Sequence, residues 1–109
     1  MLTEAEKTRL AQKVVDEWCG FQIALSLKGR YPREKFDAFL RAARQFAEAT
    51  RADRLVHRDV AAIIHGLGEQ LRLERKRAPG PVLYEADRLE CLFFAGYDPH
   101  LEGDEPPDY

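Results

Sequence analysis

Apolar positions recur every three to four residues in four separate stretches of this chain, each bounded by residues that start or stop helices. The longest lies between Leu10 and Leu27. Leu10, Val14, Trp18, Phe21 and Leu25 follow one helical face, and Val15, Cys19 and Ile23 form a second stripe beside it. The apolar arc is wider than a surface helix ordinarily presents. Phe21, Ile23, Leu25 and Leu27 also alternate with Gln22, Ala24, Ser26 and Lys28, as in a half-buried strand. A strand there would have no partner, since no second alternating run is bounded by turn residues, and its backbone groups would stay unsatisfied. Helix is therefore the expectation.

Thr3 followed by Glu6 reads as a capping box, which predicts a first helix over 4–28, with Gly29 as a left-handed cap and Pro32 shortly after. Pro32 suits the first turn of a second helix over 32–49. Its stripe is Phe36, Phe39, Leu40, Ala43, Phe46 and Ala47, and Arg33, Asp37, Arg41, Arg44 and Glu48 fall away from it. Val56, Val60, Ile63, Ile64, Leu67 and Leu71 give the cleanest helical period, over 57–77, ended by Pro79 and Gly80. Gly66 and Gly68 on this helix predict a close approach to the Gly20 region of the first. Pro81 opens a fourth helix over 81–95, capped by Gly96.

The expected fold class is all-α, a compact antiparallel four-helix bundle over residues 1–96 in which sequential helices are neighbours, followed by an irregular, acidic, proline-containing tail over 97–109. Its core is expected to centre on Val14, Trp18, Phe21, Leu25, Phe36, Phe39, Leu40, Phe46, Val60, Ile63, Ile64, Leu67, Leu89 and Leu92. At 109 residues and 45% apolar content, one domain with a modest core is the natural outcome.

Charge changes the picture more through its distribution than through the net value of −2. Residues 1–27 carry −1, residues 28–77 carry +6, and residues 78–109, with Arg88 as their one cation, carry −7. A basic middle and an acidic end imply either mutual screening or two surfaces for different partners. The N-terminus is polar and mixed in charge, unlike a signal peptide, and no uncharged segment reaches membrane-spanning length. Cys19 and Cys91 lie in apolar settings far apart, so both are expected to be buried free thiols, which fits a cytoplasmic location.

Candidate chemistry is sparse. His57 and His65 lie two turns apart on one helix, too far to share an ion without a third element. Asp98, His100, Glu102, Gly103 and Asp104 imitate the start of an EF-hand loop, but His100 replaces an expected Asp or Asn, Tyr109 replaces the bidentate Glu, and no exiting helix follows. No serine elbow, phosphate loop or Cys-x-x-Cys is present. The expectation is a binding protein without catalytic residues, cofactor or metal, and without a membrane partner. Its apolar partner surface is expected at Trp18, Phe21, Phe93, Phe94 and Tyr97, serving a homodimer or a larger protein. The alternative is nucleic-acid binding through Arg51, Arg54, Arg58, Arg72, Arg75, Lys76 and Arg77, screened within the chain by the acidic tail.

Overall fold

Thr3 opens the first helix as its capping box predicts. Its Oγ1 accepts from the Glu6 N–H at 3.1 Å, and the Glu6 carboxylate accepts from the Thr3 N–H at 3.5 Å. The structure is a computed structural model and describes residues 2–27, 30–73, 78–98 and 103–104. Four helices follow in order: α1 (Glu4–Ser26), α2 (Arg33–Ala49), α3 (Arg58–Leu73) and α4 (Gly80–Ala95). Among the described residues there is no strand. The strand alternative for 21–27 is thus overturned: residues 21–26 are the last part of α1.

Helix ends follow from local chemistry. α1 stops at Ser26, where Leu27 turns extended and donates its N–H to the Ala24 carbonyl at 3.2 Å; Gly29, the expected cap, lies outside the described residues. Pro32 caps α2 from outside rather than occupying its first turn, and its carbonyl accepts from the Phe36 N–H at 3.0 Å. Pro81 does sit in the first turn of α4. Gly96 closes that helix at φ 80°, with its N–H on the Leu92 carbonyl at 3.1 Å. The expected run of α3 beyond Leu73 falls on residues 74–77, outside the described residues.

Apolar faces then assemble the helices. α1 packs on α2 and α3, and α4 packs on the same two. The wide apolar arc of α1 accordingly serves two neighbours within the chain, although its second stripe turns progressively outward: Val15 is half-buried, and Cys19 and Ile23 are exposed. α2 and α3, although consecutive, are not a principal packing pair. The Lys7–Asp53 ion pair, 2.9 Å long, holds the loop between α2 and α3 against α1.

Phe21, Phe36 and Phe39 are fully buried and meet at ring-centroid distances of 5.7 to 6.5 Å. Aromatic groups of this size dominate a small core. Val14, Val60, Ile64, Leu67, Leu89 and Leu92 belong to it, together with Leu25, Phe46, Leu71, Val82 and Phe93. Trp18, Leu40 and Ile63 are only partly buried at its margin. Buried Ala11, Ala42, Ala43 and Ala47 keep the helices close where larger side chains would force them apart. A radius of gyration of 14.0 Å, against about 13 Å for a globular chain of this length, marks a compact body.

Two expectations fail for identifiable reasons. A Cβ built on Gly20 or Gly66 meets nothing within 4 Å, so these glycines mark no helix crossing. The α1–α3 contact is polar at this level, made by Gln22 and Gln70. Both cysteines are free, but Cys19 is exposed and Cys91 half-buried. Apolar flanks in sequence place a thiol near a face without burying it.

Candidate interaction groove

α3 and α4 leave a groove between them whose lining includes one small residue from each helix. Gly68 and Ala86 do not fill the space that larger residues would, and the groove measures about 330 Å³. Ile64, Leu67 and Leu71 of α3 and Leu83 of α4 make its apolar lining, and Asp87 and Glu90 form the α4 rim. A Cβ placed on Gly68 would lie 3.7 Å from Oε2 of Glu90, so this carboxylate overhangs the notch. Helical spacing puts Leu83, Asp87, Glu90 and Phe94 on one stripe of α4. Phe94, 48% exposed, extends that stripe beyond the groove and rests edge-on against Phe93 at 5.0 Å. Leu73 is exposed at the last described turn of α3.

The five aromatic residues expected to form one partner surface do not. Phe21 is 0% exposed and belongs to the core, and Trp18 is half-buried against Phe21 and Phe39 at 5.8 and 5.2 Å. Phe93 is 7% exposed and stacks on Phe46 at 6.3 Å. Tyr97 is half-buried. Trp18 and Phe21 thus lie by Phe36 and Phe39, in the first half of α2, while Phe93 lies by Phe46 in its second half. Only Phe94 offers a largely open ring.

The basic set is also divided. Arg51 donates from Nη2 to Asp104 at 2.6 Å and from Nε to the Gly96 carbonyl at 3.1 Å, and Asp104 holds its guanidinium above the ordinary arginine value. Arg54 and Arg58 are exposed. The side chain of Arg72, and Arg75, Lys76 and Arg77, lie outside the described residues.

The acids of the imitated calcium loop have other work. Asp98 takes two hydrogen bonds from Arg88, at 2.9 and 2.6 Å, and stands 3.8 Å from Arg44; Asp104 accepts from Arg51 and from the Asp98 N–H. His100 and Glu102 lie outside the described residues. Among the described residues no three His, Cys, Asp or Glu side chains converge as metal ligands. His65 is exposed, and exposed His57 meets the Phe46 ring edge-on at 6.1 Å. His57 also lines a smaller cleft of about 170 Å³ with Thr8, Thr50 and the Lys7–Asp53 pair. The Asp53 hydrogen bond there raises the Lys7 ammonium above its ordinary value.

Periodicity placed the groove residues on helices but did not single them out. The available signal was two small residues, Gly68 and Ala86, which line one notch only once α3 is known to pack on α4. Among the described residues no helix is long and apolar enough to cross a membrane. Comparison with protein families, with curated proteins and with solved structures returns no match for this chain.

Proposed function

We propose that this chain is a small, non-enzymatic helical module for protein–protein interaction, which receives a helical segment of a partner protein in the groove between α3 and α4. The observation that carries this reading is the groove itself: an apolar lining drawn from two helices, with Gly68 and Ala86 small enough for another backbone to approach. Helix-in-groove recognition uses such a surface, with partner side chains at i, i+4 and i+7 as anchors. The span from Ile64 to Leu71 is two turns of α3, about 10 Å, which matches two turns of a docked helix.

An antiparallel arrangement of consecutive helices is part of the reading. It is supported by Lys7 near the start of α1 reaching Asp53 just beyond α2, by Gln22 meeting Gln70 late in both α1 and α3, and by Phe46 meeting Phe93 late in both α2 and α4. Interaction through the α1 face is less favoured, because Phe21 is withdrawn into the core and the large apolar residues exposed there are Ile23 and Leu27.

The test is amide chemical-shift mapping with a helical peptide of about fourteen residues, Leu at i, i+4 and i+7 and neutral polar residues elsewhere. Shifts are expected to concentrate on Ile64, Gly68, Leu71, Leu83 and Ala86. Gly68→Leu, which fills the notch, should weaken binding about tenfold. Absence of shifts at millimolar peptide, or shifts scattered over the surface, would overturn the reading.

A further inference from the structure

We infer that the groove selects a helix carrying Lys or Arg beside its apolar stripe, and that Glu90 is the main determinant of that choice. This rests on the groove reading above and adds the chemistry of the occupant.

Glu90 places a carboxylate beside Gly68, where another backbone can approach. Its Oε2 stands 3.7 Å from the position a Gly68 Cβ would take, so a helix lying over Gly68 must run past it. Asp87, one turn earlier on α4, lies on the same rim but already has an interaction of its own, so Glu90 alone carries the charge offered to an occupant. The described lining residues include no Lys or Arg. Arg88, the one cation of residues 78–109, is committed elsewhere: it binds Asp98 at 2.6 and 2.9 Å and approaches Glu85 at 3.9 Å.

A docked helix displaces water from the rim and strengthens whatever charge interaction remains. A Glu or Asp next to the apolar stripe would face like charge there. A Lys or Arg would lay its aliphatic stem along Leu83 and Ala86 and bring its charge to Glu90. The chain's own last segment is the wrong ligand by the same criterion, since residues 99–109 contain four carboxylates and no Lys or Arg.

The experiment uses the full chain and three fluorescent peptides with identical Leu anchors, flanked by Lys, by Glu or by neutral residues. By anisotropy at about 50 mM salt the Lys peptide is expected to bind about tenfold more tightly than the Glu peptide, and the ratio should fall to about twofold at about 0.5 M. Glu90→Lys should reverse the order, so that the Glu peptide binds more tightly; Glu90 is exposed, and a thermal melt checks that the variant folds. Equal affinities for the charged peptides, or an unchanged order in Glu90→Lys, would overturn the charge selection while binding of the neutral peptide keeps the groove reading. Failure of the neutral peptide as well would overturn both.

Discussion

Arg88 donates from both Nε and Nη2 to a single oxygen, Oδ2 of Asp98, and so ties the body of α4 to a residue two positions beyond its glycine cap. Asp98 is 1% exposed, the only buried charged residue among those described. Arg44 of α2 stands 3.8 Å from the same oxygen, so the carboxylate ties α2 to α4. Asp98→Asn keeps the shape and removes the charge. It should cost about 2–3 kcal/mol, less than for a fully enclosed pair because both arginines keep some solvent contact. Urea unfolding measures this; a loss under about 0.5 kcal/mol would show that the pair is not a structural fastening.

This fastening also shows where the sequence was legible and where it was not. Four helices, the Thr3–Glu6 box and the Gly96 cap follow from local chemistry, which acts within a few residues. Asp98 looked like part of a solvated acidic tail because its partners are ten and fifty-four residues away. The arc of α1 looked like surplus because periodicity counts apolar positions and not the neighbours they meet; α2 and α3 both pack on it. Phe21 and Phe94 were grouped as one surface by chemistry alone, yet one is at the centre of the core and the other is exposed. The groove needed the α3–α4 pairing before Gly68 and Glu90 acquired a meaning.

Glycines in this chain divide by backbone, and substitution should separate them. Gly20 and Gly66 sit inside helices with open space where a Cβ would go. Gly20→Ala and Gly66→Ala should each stabilise by about 0.5–1 kcal/mol, through helix propensity and a less disordered unfolded chain. Gly96, at φ 80°, is in the left-handed region, and Gly96→Ala should destabilise by about 1–2 kcal/mol. Thermal melts of the three variants are the check. A destabilised Gly66→Ala would mean that its face is occupied.

The two thiols should differ in reactivity. Burial raises the Cys91 thiol above its ordinary value, helped by the carboxylates of Asp87, Glu90 and Asp98, whereas Cys19 is exposed. At pH 8 a disulfide reagent should label Cys19 at least about tenfold faster, and Cys19→Ser should remove the fast phase. The same shift has a sign for stability. A thiol whose folded value lies above its unfolded value near 9 contributes fully below that pH, and the contribution is lost as pH rises through the folded value. Lys7, raised by its hydrogen bond to Asp53, behaves likewise above about 10.5. Stability should therefore decline in alkali from about pH 9, with Cys91→Ala flattening the first part and Lys7→Met the later part. Identical alkaline profiles for the wild type and both variants would refute the assignment.

Gln22 and Gln70 exchange two hydrogen bonds, 2.8 and 3.0 Å, across the partly buried contact of α1 with α3. Each amide satisfies the other, so removing one leaves the second with a donor and an acceptor to satisfy. Gln22→Ala and Gln70→Ala should each cost about 1 kcal/mol, and the coupling in a double-mutant cycle should be about 1 kcal/mol. Replacing both by Leu removes the polar groups together and should return stability to within about 0.5 kcal/mol of the wild type. The pair also fixes α3 against α1, so it positions one wall of the groove. Either single variant should weaken the Lys-flanked peptide several-fold, and the double Leu variant should restore it. Additive losses without coupling would show that the two amides act independently. Coupling in stability with unchanged peptide affinity would show that α3 is held for the groove by its apolar face alone.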